Sequence, residues 1–255
     1  MSKRLEGKII LVAGAGGIGN ELAARFAAEG ARVVLGDLDT AKAEEAVHTI
    51  VQNGGEATAI HLDGADEASV AAAVATAKDV FGGLDGLHAN FACMADSDPD
   101  TGILDLSLDV YDLTMRVNAR GFLLCTRAAL PLIIERGGGS ILYTSSAAAN
   151  GGGTAQLSYA MSKSAGHALM RHVARRCGPV GVRANAIAPA LTLHPSIEAF
   201  LPASILDMAK AAASIKSRVG RPDDIAAMAA LLMSEEGSYI TGQVISVDGG
   251  STMRA

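Results

Sequence analysis

The sequence lacks any excess of positive charge. Its 21 Lys and Arg residues stand against 27 Asp and Glu, a net charge of -6, and the basic residues are scattered rather than clustered. That excludes a basic surface for a nucleic-acid backbone. Cysteine is sparse: Cys93, Cys125 and Cys177 form no C-x-x-C pair and have no histidine at ligand spacing, so neither a disulfide framework nor a metal site is implied. The N-terminal M-S-K-R-L-E-G-K has no apolar signal core, and the longest apolar run, near 226–233, falls far short of a bilayer span. The expectation is a soluble, cytoplasmic protein without membrane or nucleic-acid partners. No compositional break or linker divides the chain, so residues 1–255 are expected to form a single domain, and 49% hydrophobic content is enough to give it a large core.

What the chain does have is alternation. Short aliphatic runs at 8–13, 32–36, 57–62, 84–89, 140–144, 182–187 and 243–247 are separated mostly by helix-like stretches. Runs such as Ile9-Ile10-Leu11-Val12 are apolar without a period of two, as in strands covered by helices on both faces, and this predicts an α/β fold on a parallel sheet. One long segment, 190–221, carries Pro195 and Pro202 with weak helical patterning. Internal loops of that length commonly cover binding sites.

Four glycines in six residues follow the first strand-like run. Gly14, Gly16 and Gly19 spell G-x-G-x-x-G ahead of a helix expected over 20–28. Glycine there permits a tight turn, close approach to a pyrophosphate and close helix–strand packing, while the helix N-terminus offers free N–H groups to an anion. Eighteen residues beyond Gly19, at the end of the second strand-like run, Asp37 is placed to accept hydrogen bonds from the two hydroxyls of an adenosine ribose. Cofactor contacts are therefore expected at Gly14, Gly16, Gly17, Ile18, Gly19, Asp37 and Leu38. Asp37 would repel a 2′-phosphate, and Leu38 offers no compensating cation, so NAD is expected over NADP.

Farther along, Tyr159 and Lys163 lie i, i+4 in a helical stretch, Leu157–Cys177, and so leave the same face. They follow Ser146, at the end of a strand-like run, by thirteen residues and more. With these motifs, Asn118 in V-N-A-R-G and the ending Y-I-T-G-Q-V-I-S-V-D-G-G, the whole chain resembles the short-chain dehydrogenase/reductases. That resemblance implies a doubly wound Rossmann fold with a seven-stranded parallel sheet, a nicotinamide cofactor and a catalytic tetrad of Asn118, Ser146, Tyr159 and Lys163. It also implies cofactor contacts at Asp63, Gly64, Asn90, Tyr159, Lys163, Pro189 and Thr192, a water held by Asn118, and a homotetramer joined through helices around 109–135 and 157–177. Hydride transfer to a carbonyl needs a proton donor, and Tyr159 is the candidate. Bringing a phenol from about 10 to about 7 takes roughly 4 kcal/mol, about what one ammonium supplies at about 4 Å in an effective dielectric near 20. Lys163 is therefore expected to lower the Tyr159 pKa, while Ser146 bonds the substrate oxygen.

The chain also departs from the family pattern. Its glycine turn is one residue shorter, with Ala13 for Thr. L-H-A-N-F-A keeps Asn90 but has Ala89, Phe91 and Ala92 where the family has Asn, Ala and Gly, and after Pro189 an Ala190 replaces Gly. Thr192 comes two positions early and His194 stands in the expected threonine's place. His88 reads as a core histidine, and His167 and His172 as helix-surface residues. The apolar content of 190–221 points to a neutral secondary alcohol or ketone that is cyclic, aromatic or steroid-like. Alternatives are a 3-oxoacyl thioester reductase and a non-catalytic dinucleotide-binding sensor or scaffold.

Overall fold

The computed structural model describes residues 3–93, 101–153 and 155–253. Strands β1 (Ile9–Ala13), β2 (Arg32–Asp37), β3 (Glu56–His61), β4 (Gly86–Ala89), β5 (Gly139–Thr144), β6 (Val182–Pro189) and β7 (Val244–Val247) form one parallel sheet. Their order is β3-β2-β1-β4-β5-β6-β7. Helices are α1 (Gly16–Ala28), α2 (Thr40–Gln52), α3 (Glu67–Phe81), α4 (Leu108–Thr114), α5 (Gly121–Glu135), α6 (Leu157–Cys177), α7 (Pro195–Glu198), α8 (Ala203–Ala212) and α9 (Pro222–Met233). This is the doubly wound, seven-stranded Rossmann arrangement that the sequence predicts.

Every residue of β1 is buried. Side chains alternate across a strand, so Ile9 and Leu11 join Val70, Val74, Phe122, Ile133 and Met170 on one face. Ile10 and Val12 join Leu22, Phe26, Ile225 and Ala229 on the other. Both faces are apolar because both are covered, which removes the alternation from the sequence. Truncating a side chain such as Phe26 to alanine should cost about 3–5 kcal/mol. After β3 the chain crosses to the opposite side of β1 and enters β4, so a crevice opens at the carboxyl ends of β1 and β4, where ligands bind in folds of this type.

Two stretches differ from the expectations in ways that matter, and a third, at the expected place, adds a feature. The first helix starts at Gly16, not at residue 20, so Gly17, Ile18 and Gly19 lie in its first turn. The segment 190–221 is not irregular: α7 and α8 lie within it, and a bridge between Thr192 and Gly220 pins its ends together. Residues 108–135 form one continuous helix with the length and composition of a bilayer span, which a search for unbroken apolar runs misses because charged residues interrupt it. Its Gly121, Phe122, Cys125, Ala129 and Ile133 are buried. Its apolar stripe thus faces the core. Between α4 and α5, Met115–Arg120 makes a wide π-helical turn, a feature that inserts one residue into a helix and recurs at functional sites.

Candidate functional site

The glycine turn is held closed by its neighbours. The Gly14 N–H donates to the Gly36 carbonyl (2.7 Å), and the Asn90 amide donates to the Gly14 carbonyl (3.1 Å). Gly14 (φ +103°) and Gly16 (φ +79°) occupy backbone regions that favour glycine. Gly19 is glycine for space, since a Cβ there would lie 2.0 Å from the Gly14 carbonyl oxygen. No side chain caps α1, so its first-turn N–H groups are offered to whatever anion enters the crevice. Asp37 closes the end of β2: one carboxylate oxygen accepts the Ala15 N–H (2.7 Å) and the other the Asp39 N–H (2.9 Å). Leu38 is exposed beside it. Asp63 accepts from the Ala65 N–H (2.8 Å) while its own N–H donates to Ser69 (2.9 Å). A backbone cradle with free amides and a carboxylate at the ribose position fits a nicotinamide dinucleotide.

The structure separates two residues that the sequence leaves competing. Thr192 is buried, its hydroxyl donating to the Ala190 carbonyl (3.1 Å). His194 instead lies on the glycine turn, where a Cβ on Gly17 would meet its ring at 2.1 Å. Pro189 ends β6. Phe91, in the family's alanine position, fills the space beside Gly64 and Gly121, where a Cβ at either position would lie 2.7 Å from its ring.

The second half of the site hangs on β5 and α6. Ser146 follows β5 and accepts the Ala148 N–H (3.2 Å). Tyr159, in the first turn of α6, shares a side-chain hydrogen bond with it. Lys163, one turn on, is fully buried and donates to the carbonyls of Thr144 (2.9 Å) and Phe91 (3.3 Å). Asn118, in the π-turn, accepts the Cys93 N–H (2.7 Å) and donates to the Cys93 carbonyl (3.2 Å) and to Ser162 (3.1 Å). Its side chain therefore clips the strand-end segment 91–93 to α6, one residue from Lys163. All four tetrad residues converge at the carboxyl ends of β4 and β5.

Electrostatics overturn one expectation. The Tyr159 phenol lies above its ordinary value, not below it, because burial outweighs the hydrogen bond from Ser146. The Lys163 ammonium, 5.6 Å from the Tyr159 ring centroid, is itself pushed down to about 7 by burial. Summing a point charge from sequence spacing omits the desolvation of both partners, which here is the larger effect. His167 is a second correction: it is buried, not on the helix surface, and its Nε2 lies 2.6 Å from the Ser145 hydroxyl. Its place one turn after Lys163, on the same face, is the signal that could have located it. His172 is exposed and His88 buried, as expected.

Comparison with known proteins agrees with this fold. Residues 12–252 match the family described as Enoyl-(Acyl carrier protein) reductase. A probable short-chain type dehydrogenase/reductase of Bradyrhizobium diazoefficiens is 43% identical over 97% of this chain and 88% of its own length. The 2,5-dichloro-2,5-cyclohexadiene-1,4-diol dehydrogenase LinX of Sphingobium indicum is 36% identical over 98% of each chain. The structure of a 7α-hydroxysteroid dehydrogenase complexed with NADH and 7-oxoglycochenodeoxycholic acid superposes with a TM-score of 0.91 at 31% identity, covering 99% of this chain and 97% of that one. The match runs over nearly the whole length of this chain and of each of these proteins, and the chain belongs to the short-chain dehydrogenase/reductase family of oxidoreductases.

Proposed function

We propose that this protein is an NAD-dependent dehydrogenase acting between a neutral, fairly apolar secondary alcohol and its ketone. The observation that carries the reading is the hydrogen-bonded Ser146–Tyr159 pair with Lys163 one turn along the same helix, beside the dinucleotide cradle. A nicotinamide bound there would supply or accept the hydride. Tyr159 exchanges the proton with the substrate oxygen, Ser146 donates a hydrogen bond to that oxygen, and Lys163 contributes positive charge beneath the phenol. Asn118 holds the 91–93 segment in place. Gly14, Gly16, Gly17, Ile18 and Gly19 receive the pyrophosphate, and Asp37 and Leu38 receive the adenosine ribose. Asp63, Gly64, Asn90, Pro189 and Thr192 complete the cofactor contacts, alongside Tyr159 and Lys163. NAD is preferred because Asp37 repels a 2′-phosphate; the NADH in the steroid dehydrogenase complex supports this.

The substrate reading rests on apolar residues at the start of α6 and in the 190–221 segment. A cavity of about 430 Å³ is lined by Gly102, Ile103, Leu104, Asp105, Gly153 and Leu157. The 190–221 segment exposes Phe200, Ile205 and Met208. A carrier- or CoA-linked substrate would want unengaged cations at the mouth. Of the three cations late in this segment, Arg218 is paired with Asp224 (2.6 Å) and Lys216 donates to the Ala211 and Ala213 carbonyls, while Lys210 on α8 forms no ion pair among the described residues. Cyclic substrates in the names of the diol and steroid dehydrogenases point the same way. The protein acts in the cytoplasm as one domain over 1–255, assembled as a homotetramer through the exposed Leu113, Leu123, Ile134 and Met161 on α4, α5 and α6.

The test is reduced-nicotinamide absorbance with NAD and NADP over cyclic, aromatic and steroid alcohols, together with 3-oxoacyl and enoyl thioesters. Turnover of neutral cyclic alcohols with NAD is expected. A higher kcat/KM for thioesters would establish the reductase reading, and NADH binding without turnover across the panel would establish a sensor.

A further inference from the structure

Lys163 is a cation in an unusual chamber. Among the described residues no carboxylate forms an ion pair with it, and burial pushes it down from the ordinary lysine value. Its polar partners are two main-chain carbonyls, of Thr144 and Phe91. The remaining close group is a ring: Nζ lies 4.7 Å from the centroid of Phe122 and over its face, closer than the 5.6 Å to Tyr159. An aromatic face carries negative potential and attracts a desolvated ammonium.

Several features fix that ring in place. Phe122 is fully buried and is the middle member of an aromatic ladder, 5.4 Å from Phe91 and 5.5 Å from Tyr143. The Phe91 end fits because residues 64 and 121 are glycine, and α6 can settle onto Phe122 because residue 166 is glycine, where a Cβ would lie 3.2 Å from the ring. The Tyr143 end is fastened by Thr126, whose hydroxyl lies 2.8 Å from the Tyr143 oxygen and also donates to the Phe122 carbonyl (2.7 Å). The ring cannot turn its edge to the ammonium without displacing these neighbours. Other titratable groups around the chamber are Tyr159 on the same helix, His88 on β4, Tyr143 at the far end of the ladder and Cys125 beside it. None is an anion near neutral pH: burial raises both phenols and the thiol and keeps His88 uncharged.

We propose that Phe122 is a positioning residue of this site: its ring face, with the Phe91 and Thr144 carbonyls, forms the cage that keeps the Lys163 ammonium charged beneath Tyr159. The cage does the work that a buried carboxylate would do elsewhere, without adding a negative charge that would oppose phenolate formation. This rests on the catalytic reading of Lys163 but is tested separately from it.

The experiment titrates the full-length protein with 13Cε-labelled lysine, the Lys163 resonance being assigned by its loss in Lys163→Arg. Phe122→Leu removes the ring face at similar bulk and should lower the Lys163 midpoint by about one pH unit, a tenfold change in its charged-to-neutral ratio. Replacing Phe122 with 3,4,5-trifluorophenylalanine keeps the shape while cancelling most of the face potential, and should move the midpoint in the same direction. A purely structural role would leave the fluorinated variant unshifted. An unmoved midpoint in a folded fluorinated variant overturns the proposal, and that variant decides the matter if Phe122→Leu does not fold. NADH binding and turnover are read independently, so an inactive protein whose lysine still responds to fluorination would count against the dehydrogenase reading and not against the cage.

Discussion

The two halves of the site are made of different material. At the ends of β1 and β2 the working groups are main-chain amides, set by glycines whose value is the side chain they lack, with Asp37 bracing the turn through the Ala15 N–H. At the ends of β4 and β5 the working groups are side chains buried among aromatics, each held by one to three specific hydrogen bonds. The first half tolerates solvent because its ligand brings its own charge. The second depends on excluding water, since burial is what moves Tyr159 and Lys163 from their ordinary values. Substitutions in the cradle should therefore show in binding, and substitutions in the buried half in turnover.

The sharpest way to break that division is Tyr159→Phe. Removing one hydroxyl should lower turnover by about 10³-fold while leaving the dissociation constant for NADH, read by fluorescence, within about twofold. Retention of more than a tenth of the rate would place the proton donor elsewhere. Gly19→Ala comes next. The added methyl meets the Gly14 carbonyl oxygen at 2.0 Å, so the turn must deform, and NADH affinity should fall by at least about tenfold with a lower melting temperature. Unchanged affinity would mean that the turn is not the phosphate cradle. Asp37→Ala should leave the fold intact and narrow the ratio of kcat/KM for NAD over NADP, itself expected to be about tenfold or more, towards unity. Equal use of both cofactors by the unmodified protein would remove the basis for that expectation.

The smallest effect separates burial from catalysis. His88 is buried, and desolvation first, then the Lys163 charge, hold it down at about 3. The unfolded chain carries an ordinary histidine near 6.5, so below that value the unfolded state binds the extra proton and stability falls with falling pH. Between pH 6.5 and 5.5 the loss should be about 1 kcal/mol, and it should vanish in His88→Val, whose melting temperature would be flatter across the same range. Parallel acid profiles for the two proteins would show that His88 titrates normally in the fold.

These differences also explain what could be read from the sequence. The glycine turn is built locally: Gly14, Gly16, Gly19 and Asp37 act on the backbone near them, so their spacing is enough to bring them together. The strands were legible for the same reason, since a two-sided core leaves uninterrupted aliphatic runs. In the buried half, Tyr159 and Lys163 were found by helical spacing, but the sign of the Tyr159 shift was missed because desolvation depends on what packs around the pair. His167 was misplaced because a polar residue on a helix reads as exposed until the partner, Ser145, arrives from another element. His194 on Gly17 and Phe91 between Gly64 and Gly121 are contacts across more than 25 residues of sequence. No local pattern encodes them.

The π-turn at Met115–Arg120 has a consequence for how this helix tolerates change. One extra residue would advance a regular α-helix by about 100°, and the wide turn takes up that offset, so the two halves of the 108–135 helix keep their buried faces in line. Val110 and Thr114 are buried on one side of the offset, and Phe122, Cys125, Ala129 and Ile133 on the other. Deleting a single residue within 115–120 would let the regular ladder re-form with both buried faces still in line, but it would remove or displace Asn118 and with it the bonds to Cys93 and Ser162. A chain one residue shorter here would be a better helix and a worse protein.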